Sequence, residues 1–381
     1  MNLDLTHEER LIQQTARDFA EKELRSRAAE IDRKGEVPRE VLRKLAELGF
    51  MGVISPEEYG GSGLSNFCLA IIQIEINRVC ASTGVTLSVH NSLCQSPIVR
   101  FGTEAQKRKY LPKLTGAEWI GAYSLSEPVS GSDAGALITT AVRDGDHYVL
   151  NGTKNFVTNG GIADLFVVFA RTNRDPFVKH GAISAFLVER TGRGFAVGKH
   201  EEKMGIRGSS TTSLFFEDCR VPAENLLGGE GEGFKVAMAT LDGGRIGIAS
   251  QALGIATACL EESVRYAKER KQFGVAISSF EAIQWKIADM ATEIDAARFL
   301  IYRAARLRDA EQPHTMESAM AKLFAARMVN DHATQAVQIH GGVGYIRDFP
   351  VERFFRDAKI SEIYEGTNEI QRLVIARHFL K

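Results

Sequence analysis

The sequence predicts a mixed, mainly α protein in three parts: an N-terminal helical domain over 1–120, an antiparallel β-domain over 121–230 and a C-terminal helical bundle over 231–381. Two observations carry this. Apolar residues recur at helical spacing in the first third and again beyond residue 233, while the stretch between holds short apolar or alternating runs bounded by Gly, Pro, Asn and Asp. Those runs follow one another with no helix between them, which excludes a doubly wound sheet. A length of 381 residues suits two or three domains at about 150 residues each.

Taken in order, Thr6 with Glu9 three residues on forms a capping box, and Leu11, Ile12, Ala16, Phe19, Ala20 and Leu24 continue it as a helix. A second helix starts near Pro38, runs through Val41, Leu42, Leu45 and Leu48, and stops at Gly49. Residues 55–63, with the turn residues Pro56, Gly60, Gly61 and Gly63, read as a loop; helix returns over 65–80 and 92–101. Residues 139–142 and 147–150 make a hairpin around the Asp144-Gly145 turn, and further strands are expected at 165–170, 182–188 and 213–216. Amphipathic stretches over 233–270, 280–310 and 315–340, and a shorter one at the end, imply a bundle.

Composition narrows the function. With 47 Lys+Arg against 48 Asp+Glu the net charge is −1, so nothing in bulk favours nucleic acid as a partner. The five cysteines (Cys68, Cys80, Cys94, Cys219, Cys259) are scattered and odd in number, with no Cys-x-x-Cys and no zinc spacing; buried reduced thiols and no metal site are expected. Glycine and charged residues break every apolar run short of the ~18 residues that cross a bilayer. The acidic, polar start, Met1 to Arg10, is unlike a signal or transit peptide, so a soluble cytoplasmic or mitochondrial matrix protein is expected.

No Walker A, His-Glu-x-x-His or Gly-x-Ser-x-Gly signature occurs. The glycines of Gly229-Glu230-Gly231-Glu232-Gly233 follow only Leu226-Leu227, too short a strand for a βαβ unit. Three segments say more. In Tyr123 to Asp133, small hydroxyl residues and Gly131 suit either a surface turn or a cradle of open N–H groups for a phosphate or ring carbonyl. In Gln338 to Tyr345 a helix ends in glycines, either a plain stop or a place where backbone meets ligand. In Ile363 to Gln371, Asn368 and Gln371 form a capping box for the last helix, and Glu365 stands in the turn before it. It is either a solvated turn glutamate or, if stripped of water there, a carboxylate whose pKa would rise from ~4.3 and make it a stronger base.

These segments closely resemble the acyl-CoA dehydrogenase family, and the likeness covers nearly the whole chain. It extends through Pro56 to Gly61, Lys203 to Ser209, Val221 to Gly228, Arg270 to Gly274, and the stretch from Gln338 through Arg353 to Asp357. The resemblance implies a C-terminal four-helix bundle, FAD between the β-domain and that bundle, and a homotetramer (a dimer of dimers) in which part of the FAD reaches a neighbouring subunit. The implied reaction takes an acyl-CoA to a trans-2-enoyl-CoA in fatty acid β-oxidation, with electrons leaving through electron-transferring flavoprotein.

Carried over residue by residue, Glu365 is the catalytic base. Tyr123, Leu125, Ser126, Gly131 and Ser132 face the flavin, with Ser132 also near CoA. Phe156, Val157 and Thr158 line the ring. Arg270, Gln272, Phe273, Gln338, Gly341 and Gly342 hold the ADP half across the subunit contact, where an arginine fork matches pyrophosphate. Thr367, Asn368 and Glu369 also face FAD, while Asp242, Arg245, Tyr364 and Gly366 contact substrate; a helix-surface role is the alternative for Arg245.

Gly244 occupies the position from which other branches of the family supply the base, and the 83–93 helix resembles the short-chain enzymes, so a butyryl-CoA-like substrate is implied. A short branched or alicyclic acyl-CoA, an acyl-CoA oxidase, or a non-catalytic CoA-binding scaffold are the alternatives. Against the oxidase stands the chain's end at Lys381, soon after the capping box, and against the scaffold stands Glu365. Ser124, Phe156 and Glu281 depart from the usual family residues, and His340 reads as a structural helix-end histidine.

Overall fold

The computed structural model describes residues 4–380 apart from 174, 176, 177 and 179, so the first three residues of the acidic start and Lys381 lie outside it. Seven helices come first: α1 (His7–Phe19), α2 (Ala28–Lys34), α3 (Arg39–Glu47), α4 (Asn66–Val79), α5 (Ala81–Ser88), α6 (Ser96–Phe101) and α7 (Glu104–Thr115). The Thr6–Glu9 capping box is formed in both directions, at 3.2 and 2.9 Å. Pro38 precedes α3 and Gly49 follows it at φ 74°, where a side chain would be strained. Helical backbone runs without a break from 81 to 101, through π-helical turns at Val89–Gln95, so it starts well before the expected residue 92.

The middle part is an eight-stranded sheet: β1 (Gly121–Ser124), β2 (Thr140–Asp144), β3 (His147–Thr158), β4 (Leu165–Arg171), β5 (Ile183–Glu189), β6 (Phe195–His200), β7 (Thr211–Pro222) and β8 (Leu226–Leu227), in the order β6-β7-β3-β2-β4-β5-β8 with β1 also on β4. The hairpin is present with Gly145 and Asp146 as its two-residue loop. The sheet is antiparallel except at β4, which pairs parallel with β1 and, at one position, with β2. The cause is local: the chain leaves the helices beside the start of β4, where Ile120 N–H donates to Asp164 Oδ2 at 2.9 Å and Asp164 N–H to Ile120 O at 2.8 Å. β8 pairs antiparallel with β5, so the glycines after it close no βαβ unit.

The remainder is α8 (Gly233–Glu269), a hairpin of β9 (Lys271–Gln272) and β10 (Val275–Ala276), α9 (Glu281–Asp309), α10 (Thr315–His340), α11 (Val351–Ala358) and α12 (Asn368–Phe379). Helix α8 is the axis of the molecule. Its glycines let neighbours approach closely: a Cβ at Gly247 would stand 2.6 Å from Ser88 Oγ, and one at Gly254 2.4 Å from Ile74 O. The bundle core therefore includes Phe67, Ile71, Val85 and Leu93 from the N-terminal helices as well as α8–α10. All five cysteines are buried and free.

Candidate active site

Glu365 stands in the turn between Lys359–Glu362, a 3-10 segment, and α12. Its φ is 52° and that of Gly366 is 92°. Left-handed backbone at a glutamate costs on the order of 1 kcal/mol or more, so the surroundings must hold it. Two side chains do. Gln371 Nε2 donates to Gly366 O at 2.8 Å and to Glu365 O at 3.3 Å, and Lys322 Nζ, from α10, donates to Gly366 O at 2.9 Å and Asn368 Oδ1 at 3.3 Å.

This corrects the expected Asn368–Gln371 capping box. Thr367 is the cap, its Oγ1 accepting from Ile370 N–H at 3.4 Å, because Thr367 keeps extended backbone (ψ 163°) while Asn368 is already helical. Gln371 is thereby free to turn back onto the glutamate's own loop.

The turn aims the carboxylate inward. Glu365 Oε2 has no solvent contact and no hydrogen-bond partner among the described residues. A Cβ on Gly244 of α8 would lie 2.0 Å from that oxygen and 2.9 Å from Leu93 Cδ2, so only glycine leaves room for the carboxylate there. Burial pushes Glu365 up to about 7, partly offset by the positive charges of Lys322 and Arg245. The Tyr123 and Tyr364 phenols are raised well above their ordinary value, first by burial and then by the Glu365 charge. The Tyr364 hydroxyl donates to Gln251 Oε1.

Arg245 is buried on α8, with Nη1 2.6 Å from Asp242 Oδ1, and the other Asp242 oxygen accepts from Thr315 Oγ1 at 2.6 Å. The helix-surface alternative for Arg245 is therefore wrong: the side chain is buried on the helix face turned toward Glu365. Tyr123, Arg245, Tyr364, Gly366, Thr367 and Asn368 all gather around Glu365, with Asp242 behind Arg245.

A second group lies along the sheet. Tyr123 packs on Phe169, ring centres 5.0 Å apart. Leu125 is buried; its carbonyl accepts from Lys154 Nζ at 3.1 Å, and Ser126 O accepts from Asn155 N–H at 2.9 Å. Lys154 is fully buried and pairs with Glu127 at 2.7 Å, whose carboxylate also accepts from the N–H groups of Ile138 and Thr139. Beyond Lys154 the β3–β7 register slips before Val157, and the bulge sets Phe156 at φ 53° with its ring exposed, Val157 buried and Thr158 half-buried. Gly131 and Ser132 lie on an exposed irregular segment, and a Cβ at Gly131 would meet nothing within 4 Å. An exposed aromatic on a bulge, flanked by hydroxyls and open backbone, fits one face of a flat ring cofactor such as FAD.

The third group stays apart from the base on this chain. Arg270, Gln272 and Phe273 lie in and beside the β9–β10 hairpin, where Phe273 is 94% exposed with its ring centre 6.1 Å from that of Phe280. Gln338, Gly341 and Gly342 are exposed at the end of α10, and Glu369 is exposed on α12 beside Arg372. His340 stacks on Tyr266 with centres 4.3 Å apart and its Nδ1 lies 2.8 Å from Ala336 O, consistent with a structural role. Sequence reasoning missed Lys322 and the Lys154–Glu127 pair. For Lys322 the signal was present, a lysine set among Ala319, Ala321, Ala325 and Ala326.

Comparison with known proteins agrees with this architecture. The acyl-CoA dehydrogenase N-terminal, middle and C-terminal domain families match residues 6–118, 122–219 and 231–380. A short-chain specific acyl-CoA dehydrogenase of Clostridium acetobutylicum is 53% identical over 376 residues, 99% of each chain. The solved butyryl-CoA dehydrogenase of Megasphaera elsdenii superposes with a TM-score of 0.97 at 45% identity, covering 100% of both chains. A chain in a structure described as the electron transferring flavoprotein of Acidaminococcus fermentans, bearing on flavin-based electron bifurcation, superposes at 0.98 with 50% identity, again over 100% of both. With three consecutive domain families matched and half the residues shared end to end, the chain belongs to the acyl-CoA dehydrogenase family.

Proposed function

We propose that this protein oxidises a short-chain, butyryl-like acyl-CoA at its α,β bond, with Glu365 as the base. The observation that carries the assignment is Glu365 Oε2, which is buried without a hydrogen bond against Gly244 of α8, on a carboxyl raised to about 7. The family is FAD-dependent, and bound FAD supplies the two-electron oxidant. The chain's own residues do the rest. Glu365 takes the α-proton as the β-hydrogen leaves with its electron pair and the double bond forms, and the family resemblance gives its backbone N–H the task of steadying enolate charge on the thioester oxygen. Gly244 keeps α8 clear of the carboxylate, and Arg245 with Asp242 borders the substrate side.

Tyr123, Leu125, Ser126, Gly131, Ser132 and Phe156 to Thr158 present the sheet face to the cofactor. Thr367, Asn368 and Glu369 close it from α12. Arg270, Gln272, Phe273, Gln338, Gly341 and Gly342 serve the FAD of an adjoining subunit; their exposure on a single chain supports a tetrameric assembly of this kind. Electrons pass to an electron-transferring flavoprotein, a reading supported by the fold match above. We keep domain limits of 1–120, 121–230 and 231–381, and a cytoplasmic or matrix setting; no helix among the described residues is long and apolar enough to cross a membrane.

The test is anaerobic addition of butyryl-CoA to the FAD-loaded protein. Bleaching of the flavin absorbance is expected, and Glu365→Gln should keep FAD while bleaching roughly 10³-fold more slowly. Bleaching by the variant at the wild-type rate would refute the base, and bleaching only with longer acyl chains would refute the substrate class.

A further inference from the structure

The positive charges around Glu365 are not equivalent. Arg245 is committed to Asp242 at 2.6 Å. Lys322, on α10, is also buried, yet among the described residues it forms no ion pair: its ammonium donates only to neutral oxygens, Gly366 O and Asn368 Oδ1. A buried ammonium without a carboxylate against it is costly unless a nearby anion offsets it. Besides Glu365, the charged groups acting on Lys322 are Glu362 and Glu369 from the flanks of the same turn and Arg245 from α8. Glu362 is engaged by Lys359 at 2.6 Å and Glu369 by Arg372 at 3.2 Å. That leaves Glu365 as the carboxylate without a cation of its own.

We infer that Lys322 is a positioning residue for the base: its ammonium clamps the left-handed Glu365–Gly366 turn by the backbone and supplies the unneutralised positive charge that lets the buried carboxylate ionise near neutral pH. This rests on the reading of Glu365 as the base. The two roles separate by charge. Gln371 holds the same Gly366 carbonyl with a neutral amide, so it shares the clamp but not the field. Burial drives Glu365 up and Lys322 down to about 8, and each charge opposes the other's shift. The facing phenols, Tyr123 and Tyr364, stay neutral throughout this range because both titrate far higher.

The experiment is the pH profile of anaerobic flavin bleaching by butyryl-CoA in FAD-loaded protein, for the wild type, Lys322→Met, Lys322→Gln, Lys322→Arg, Gln371→Ala and Glu365→Gln. The wild-type rate should rise with pH through about 7 as Glu365 ionises. In both neutral Lys322 variants that limb should move up by about one pH unit or more, a roughly tenfold lower rate below it. Lys322→Arg should restore the limb, and Gln371→Ala should slow bleaching without moving it. An unmoved limb in the neutral variants would overturn the inference, as would loss of FAD or of folded protein in both, which would make Lys322 structural only. If Glu365→Gln bleaches normally the base assignment itself fails; if that variant is inert and the limb still does not move, only the role of Lys322 fails.

Discussion

A single oxygen, Glu365 Oε2, concentrates the tension on which the site depends. Burial disfavours its charge, yet the proposed base must be charged to take a proton, and glycine at 244 is the condition for its being there. Because the folded pKa of about 7 stands above the ordinary glutamate value of 4.5, the protonated form favours the native state. That contribution is fully present below 4.5 and is lost as pH rises through about 7, opposite in sign to the activity, which needs the ionised form. Gly244→Ala isolates the steric part. The added methyl would sit 2.0 Å from Oε2, so the carboxylate must swing away, while alanine is the better helix former on α8. Stopped-flow bleaching is expected to slow at least about tenfold with FAD content and thermal stability kept, since a misplacement near 1 Å is enough for such a loss; a wild-type rate would show that the carboxylate does not work from this position.

At the scale of elements, β3 and its bulge shape the face of the sheet proposed to meet the cofactor. Lys154, two residues before Phe156, is buried with Glu127 and holds the 125–139 segment to the strand through Leu125 O. Lys154→Met would leave the Glu127 carboxylate buried without its cation, and breaking such a pair costs about 3–5 kcal/mol. A matching drop in unfolding free energy by denaturant titration is expected, together with weaker FAD retention. Helices were the most legible elements, because caps such as Thr6–Glu9 and apolar spacing depend on residues a few positions apart. The Asn368–Gln371 pattern misled for the converse reason. The same residue types fit a local box and a longer reach to Glu365 O and Gly366 O, and the turn's left-handed backbone decided between them.

Across the whole molecule, the Lys203–Ser209 motif has a structural purpose that spacing did not reveal. Arg356 of α11 grips Asp32 of α2 at 2.7 and 2.9 Å and Glu352 at 2.8 and 3.0 Å, and donates to Met204 O at 3.2 Å. Asp357 Oδ1 accepts from Ile206 N–H at 2.5 Å, and a Cβ on Gly205 would stand 2.0 Å from Arg356 O. One loop from the β-domain is thus wedged between the N-terminal helices and the bundle. Arg356→Ala should lower stability by about 2–4 kcal/mol, because it strands two largely buried carboxylates. The check is the urea midpoint; a shift under ~0.5 kcal/mol would mean the three parts hold together without this latch.

What the sequence determined by itself was the order of helices, strands and helices and the glutamate in its pre-helical turn. Each follows from short-range spacing or from what a residue type can physically do. Only the tertiary structure decided that β4 runs parallel to β1, that Arg245 faces inward, and that Lys322 lies against a turn 44 residues further along the chain. The reason is that pairing and burial of charge are properties of surfaces brought together by folding, and one segment's pattern does not specify which distant segment will cover it.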